Sequence, residues 1–181
     1  MFHLNTEQLI EYWRERRIGP MAPARARIDP TQFVQVMPQI FILGRRGFGD
    51  YGFRLAGGFL SDLHGRDLRD ENLLNLWEPE DRHPIQMALE TVRRRIEPLV
   101  VDCDAWPDFG LPVRLELMMA PLTGPSGDVD RMIGLYQPLG PTAVLMNRKI
   151  QTLSIRSILS GGLGEPLPHL RLAAVNGRRI A

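Results

Sequence analysis

Cysteine is almost missing: Cys103 stands alone in 181 residues, so an intrachain disulfide and a cysteine cage for a metal are both excluded. Lysine is as scarce, since Lys149 is the one lysine among 22 basic residues. Genome composition accounts for that bias as well as function does, although arginine also suits bidentate contacts with carboxylates and phosphates. No apolar run approaches the ~20 residues that span a bilayer. The opening MFHLNTEQL lacks a basic stretch leading into an apolar core, so it does not read as a secretory signal, and a cytoplasmic location is the default. Surplus charge is missing too: 22 basic residues against 21 acidic ones leave +1. What is present is ordinary for a globular chain, with 44% apolar and 24% charged residues.

Charge becomes informative when the chain is divided. Residues 143–181 hold Arg148, Lys149, Arg156, Arg171, Arg178 and Arg179 against Glu165, net +5, so the rest carries −4. Such a tail is either solvated or placed to meet an acidic partner, a nucleic acid or an anionic surface. It contains no aromatic residue, so it offers no platform for stacking bases, and specific recognition of a single strand is disfavoured.

Hydrophobic periodicity sets out the elements. Residues 5–17 read as an amphipathic helix capped by Asn5 or Thr6, with Leu9, Ile10 and Trp13 in one apolar stripe and Gly19-Pro20 as the stop. Those three residues are too apolar for a free surface, so they are expected to pack on the sheet or on a second copy, and the hypothesis is a homodimer with this helix at its interface. Asp29-Pro30 opens a second helix ending near Pro38. Residues 39–43 and 53–56 read as strands joined through GRRGFGDYG, a hairpin. Short helical pieces fill 59–77. Pro79–Glu97 is the clearest helix, with Ile85, Ala88, Leu89, Val92 and Ile96 on one face and Gln86, Glu90, Arg93, Arg94 and Glu97 expected in water. Three strands follow, at 99–103, 111–120 and 132–139. The predicted fold is α+β, a five-stranded antiparallel sheet covered by helices. The organisation is an N-terminal helical cap (1–38), a core (39–141) and a basic, breaker-rich, partly flexible tail (142–181), in which residues 144–159 fit neither a helix nor a strand cleanly.

A strand pair, short helices, a long helix and a three-strand meander is the layout of a PAS domain. The stretch FRLAGGFLSDLHGRDLRDENLLNLW (53–77), with YWRERR, DP and MPQIFIL upstream, resembles the signature of the single-domain PAS family found mainly in alphaproteobacteria. The resemblance covers roughly residues 4–140. Gly58 stands where threonine is expected, and Asp70-Glu71 where a glycine is usual. The resemblance implies a bacterial sensory or protein-interaction module, holding a small molecule between sheet and short helices or dimerising through the sheet and a flanking helix.

Chemistry-bearing residues give little support for catalysis. His3, His64, His83 and His169 are scattered, without the i, i+4 spacing of a metal pair. His83 and His64 are the residues a haem would use, but His83 beside Pro84 reads as a solvated helix start. Cys103 falls on a strand between Asp102 and Asp104, where neighbouring acids disfavour a reactive thiolate, so a flavin adduct is disfavoured. Asp102, Asp104 and Asp108 have no facing base. GRRGFG (44–49) lacks the context of a phosphate loop, and no serine sits in a nucleophile elbow.

The expected lining between helices and sheet, and so the candidate ligand-binding set, is Arg54, Phe59, Trp77, Leu89, Val92, Leu115, Leu117, Met119 and Tyr136. Apolar pattern does not separate a filled core from a hollow one. Arg54, the charged member of its strand, serves either an ion pair within the domain or an anionic ligand. The resulting reading is a non-enzymatic regulator acting through a protein partner, homodimeric, requiring no cofactor, with a small apolar ligand in its interior. The alternatives are a nucleic-acid or nucleotide-phosphate binder using the tail, and a haem sensor.

Overall fold

The computed structural model describes residues 1–141, 143 and 148–160 and the backbone of 174–175 and 178–179. Helix α1 (Leu4–Glu15) starts one residue before the sequence suggests, because the cap is His3, whose Nδ1 accepts the Asn5 N–H at 3.2 Å. The expected second helix is instead 3-10, Pro30–Gln39. Asp29 caps it by accepting the Thr31 N–H, and the backbone leaves helical values at Phe33. Strands β1 (Ile40–Gly47) and β2 (Asp50–Ala56) form the expected hairpin, but the ladder runs through most of the glycine-rich stretch and leaves a turn of only Phe48 and Gly49. Then come α2 (Gly58–His64), a 3-10 turn (Leu73–Leu76) and α3 (Pro79–Arg95). Strands β3 (Leu99–Pro107), β4 (Val113–Thr123) and β5 (Val129–Pro138) complete the meander.

The sheet is antiparallel, in the order β2-β1-β5-β4-β3-β6, and so has six strands rather than five. The extra strand, β6 (Ile150–Ser160), pairs with β3 over its length. Those residues, assigned by sequence to the tail, belong to the sheet. Their pattern misled because Ile150, Leu153 and Ile158 are buried across a register shift that interrupts the period of two. Short strands β7 (Ala174–Val175) and β8 (Arg178–Arg179) pair with each other. The rest of the expected flexible tail lies outside the described residues.

Two layers of core follow from strand alternation. On the inner face, under α2 and α3, Phe41, Phe53 and Tyr136 meet edge to face, and Leu89, Val92, Leu115, Leu117 and Met119 pack around them. Gly134 is required here, since the ring of Phe41 lies where a Cβ would stand. On the outer face α1 packs its apolar stripe against Met118, Ala120, Leu122, Ile133 and Leu135. Trp13 donates its indole N–H to the Pro121 carbonyl at 2.7 Å, and the Glu116 carboxylate accepts the His3 N–H. Of the two places expected for Leu9, Ile10 and Trp13, the structure shows the sheet, and the interface hypothesis for these three is corrected. The sheet has two apolar faces, so the stripe is consumed within the chain and none of the three is available to a second copy.

Neither edge strand is bare. The Phe53 N–H of β2 donates to the Glu71 carbonyl at 3.0 Å and its carbonyl accepts the Asp70 N–H at 2.9 Å. On β6 the Leu153 carbonyl accepts the Glu78 N–H at 2.9 Å, and the Ile155 N–H donates to the Asp81 carboxylate at 2.8 Å. Covered edges remove the template on which another chain's strand would add.

Candidate functional site

The inner core holds few polar groups, and they gather under the short helices. Gly65, with φ +68, ends α2 and leaves His64 facing the sheet. The His64 ring is buried and its Nε2 lies 2.9 Å from the Tyr136 hydroxyl, with the two rings edge to face at 5.9 Å. Burial and then the Arg66 charge bring the imidazole down to about 4, so it is neutral near pH 7. Burial likewise pushes the Tyr136 hydroxyl up. His64 Nδ1 lies by the Ile150 backbone but outside hydrogen-bond geometry. The indole Nε1 of Trp77, fully buried, has no partner among the described residues either. A buried donor left unpaired costs about 1–3 kcal/mol, so the orphaned indole N–H is a departure from ordinary packing.

Cys103 sits in the same layer. Its thiol approaches the Leu115 carbonyl at 3.7 Å, and burial, Asp102 and Asp104 push its pKa well up. A flavin that reacts with a thiol needs an accessible, ionisable sulfur, and Cys103 does not fit that role. His83 is exposed on α3, and no group of histidine, cysteine and acidic side chains suited to a metal occurs among the described residues.

A second polar cluster closes the other end of α3. Glu90 is buried, against the expectation that it faces water. Its carboxylate accepts the Tyr51 hydroxyl, the Arg45 Nε at 2.9 Å, and the Arg93 Nε and Nη2 at 3.2 and 3.0 Å. Burial would raise the carboxyl, but the hydrogen bonds from Tyr51, Arg45 and Arg93 outweigh it and bring it down to about 2. The charge is therefore retained and compensated inside the fold. Arg45, which the sequence places in the hairpin connection, and Arg93, expected in water, both belong to this cluster. The signal in the sequence was only the i, i+3 pair Glu90–Arg93, which is ordinary on a wet helix face.

Of the nine candidate lining residues the structure brings seven together in the inner core: Trp77, Leu89, Val92, Leu115, Leu117, Met119 and Tyr136. Phe59 is half-buried against the same cluster. Arg54 is not among them. It is exposed, its stem lies over Gly44 on the outer-face side of β1, and it has no acidic partner among the described residues. Neither the ion pair nor the interior contact forms, because the register shift between Ile42 and Leu43 leaves Arg54 outside the ladder. His64 was missed as a lining residue, since a lone histidine in a short helix carries no positional signal.

A family model described as a PAS domain matches residues 1–137. None of the curated proteins compared with the chain matches it. Among solved structures the chain is similar to the LOV domain of the blue-light photoreceptor Aureochrome1 in its dark state, at 16% identity and TM-score 0.47 over 66% of this chain and 91% of that one. It is similar also to a Rhodobacter sphaeroides LOV protein, at 14% identity and TM-score 0.46, covering 65% and 72% of the two chains. A phage VqmA–DPO complex shares 19% identity at TM-score 0.44, covering 65% and 56%.

Proposed function

The chain belongs to the PAS domain family, and on that premise we propose that it is a non-enzymatic cytoplasmic regulator that acts through a protein partner and answers to a small molecule beneath its short helices. The observation that carries this reading is the unpartnered indole N–H of buried Trp77, in the same core as His64 and its free Nδ1. A small molecule with a hydrogen-bond acceptor supplies what the indole lacks, and neutral His64 can complete the contact as donor or acceptor. Leu89, Val92, Leu115, Leu117 and Met119 supply an apolar surround, so the reading favours an uncharged ligand with one or two polar atoms.

The test is native mass spectrometry of the freshly purified full chain beside Trp77→Phe. A bound mass carried by the wild type and lost from the variant is the expected result. A wild type with no added mass, together with a Trp77→Phe protein at least as stable, means that the interior is core alone and that ligand control is wrong.

A further inference from the structure

The surface beyond α1 carries a feature that the interior reading does not use. Residues 18–21 form a tight turn, closed by the Met21 N–H on the Ile18 carbonyl at 3.3 Å, with Gly19 at φ +57 and Pro20 beside it. Its two flanking side chains stand in solvent, Ile18 at 63% and Met21 at 56% exposure. Segment 14–27, which carries this turn, holds five arginines against one glutamate. Arg14 pairs with Glu11, and Arg16 lies 3.9 Å from Glu15. Arg17 bonds to the Pro20 and Met21 carbonyls and lies over the Trp13 ring, and its charge has no acid against it among the described residues. Arg25 and Arg27 have no acidic partner among the described residues. Four Cα–Cα steps separate Met21 from Arg25, at most about 14 Å.

We propose that this turn is a docking tip for an anionic lipid surface, with Ile18 and Met21 entering the headgroup layer and Arg17, Arg25 and Arg27 meeting lipid phosphates. Charge selects an anionic partner, and each arginine held near such a surface adds attraction that salt screens. The aliphatic apex selects lipid over nucleic acid. Phosphate contacts along a duplex would leave Ile18 and Met21 in water, and the tip has no exposed ring for stacking, because Tyr12 lies beneath Arg16 and Trp13 beneath Arg17. The turn is also well seated. α1 is fastened to the sheet through Trp13 and Pro121, and the chain after the turn through the Thr123 N–H on the Pro23 carbonyl at 2.9 Å. Docking therefore needs little ordering of the chain.

The experiment is co-sedimentation of the full chain with vesicles of phosphatidylcholine alone or mixed with phosphatidylglycerol, at low and high salt, with duplex DNA as a separate arm. The wild type should bind the mixed vesicles at low salt, lose them at high salt and ignore neutral ones. Arg25→Gln with Arg27→Gln should weaken binding by roughly 30-fold. Ile18→Ser with Met21→Ser, at exposed positions that leave the fold alone, should weaken it by roughly tenfold. Arg171→Gln, Arg178→Gln and Arg179→Gln together should leave it in place. The proposal is overturned by any of four results: no binding to mixed vesicles, binding that the serine pair leaves unchanged, binding abolished by the tail changes, or tighter binding to duplex DNA than to vesicles.

Discussion

The Tyr51 hydroxyl on β2 donates a hydrogen bond to the Glu90 carboxylate on α3, joining an edge strand to the helix that covers the sheet. Arg45 and Arg93 complete the cluster, so a buried negative charge is met by two positive ones. Breaking a buried pair from one side leaves an uncompensated charge and costs about 3–5 kcal/mol. Glu90→Ala should therefore destabilise by about that much in urea unfolding. Tyr51→Phe removes one hydrogen bond to a charged group and should cost about 1.5–3 kcal/mol. Equal, negligible effects would show that the cluster is solvated.

Acid should act on two groups in separate windows. The folded-state value of His64, about 4, lies below its ordinary 6.5, so the unfolded chain binds more protons between those values. Stability should fall as pH drops from 6.5 towards 4, by about 3 kcal/mol in all. His64→Phe should flatten that slope. Glu90, at about 2 against an ordinary 4.5, contributes stability that is full above 4.5 and is lost as pH falls towards 2. Thermal unfolding across pH, wild type against His64→Phe, separates the two.

Asp70 adopts φ +63, a left-handed backbone that favours glycine, at the position where the resembled family usually has one. Asp70→Gly should be neutral or stabilising by up to about 1 kcal/mol, whereas Asp70→Val should destabilise by more than that. The pair can be read from unfolding midpoints under one buffer. A destabilised glycine variant would show that the aspartate side chain, near Arg46, matters more than its backbone.

Trp13→Ala should cost about 3–5 kcal/mol, because it removes a buried ring and orphans the Pro121 carbonyl. That loss should not depend on protein concentration, since the ring packs within its own chain. A concentration-dependent midpoint restored by crosslinking would reinstate the helix as a subunit interface.

The architecture was legible because its signals are local. Leu111–Met119 alternate, Ile85–Val92 fall on one helix face, and the glycine-rich stretch announces a hairpin. The inner-core set was legible for the same reason, and seven of its nine members meet. What failed depends on tertiary pairing. Nothing within residues 144–159 says that β3 has a free edge for β6. Nothing around Glu90 says that Tyr51 and Arg45 arrive from another element. Arg54 alternates correctly with its neighbours but leaves the ladder at a register shift that only pairing creates.

Helix α3 touches the far sides of the sheet. Asp81 near its start holds the backbone of β6, and Glu90 holds β1 and β2 through Arg45 and Tyr51. Nine helical residues cover about 14 Å, while five strand spacings of a flat sheet cover about 24 Å. The sheet is thus an arc and α3 its chord, pinned at both ends. A displacement of α3 away from the sheet would load both pins together. Strands separated by the whole width of the sheet would therefore feel that displacement at one moment, without any need for it to pass strand by strand between them.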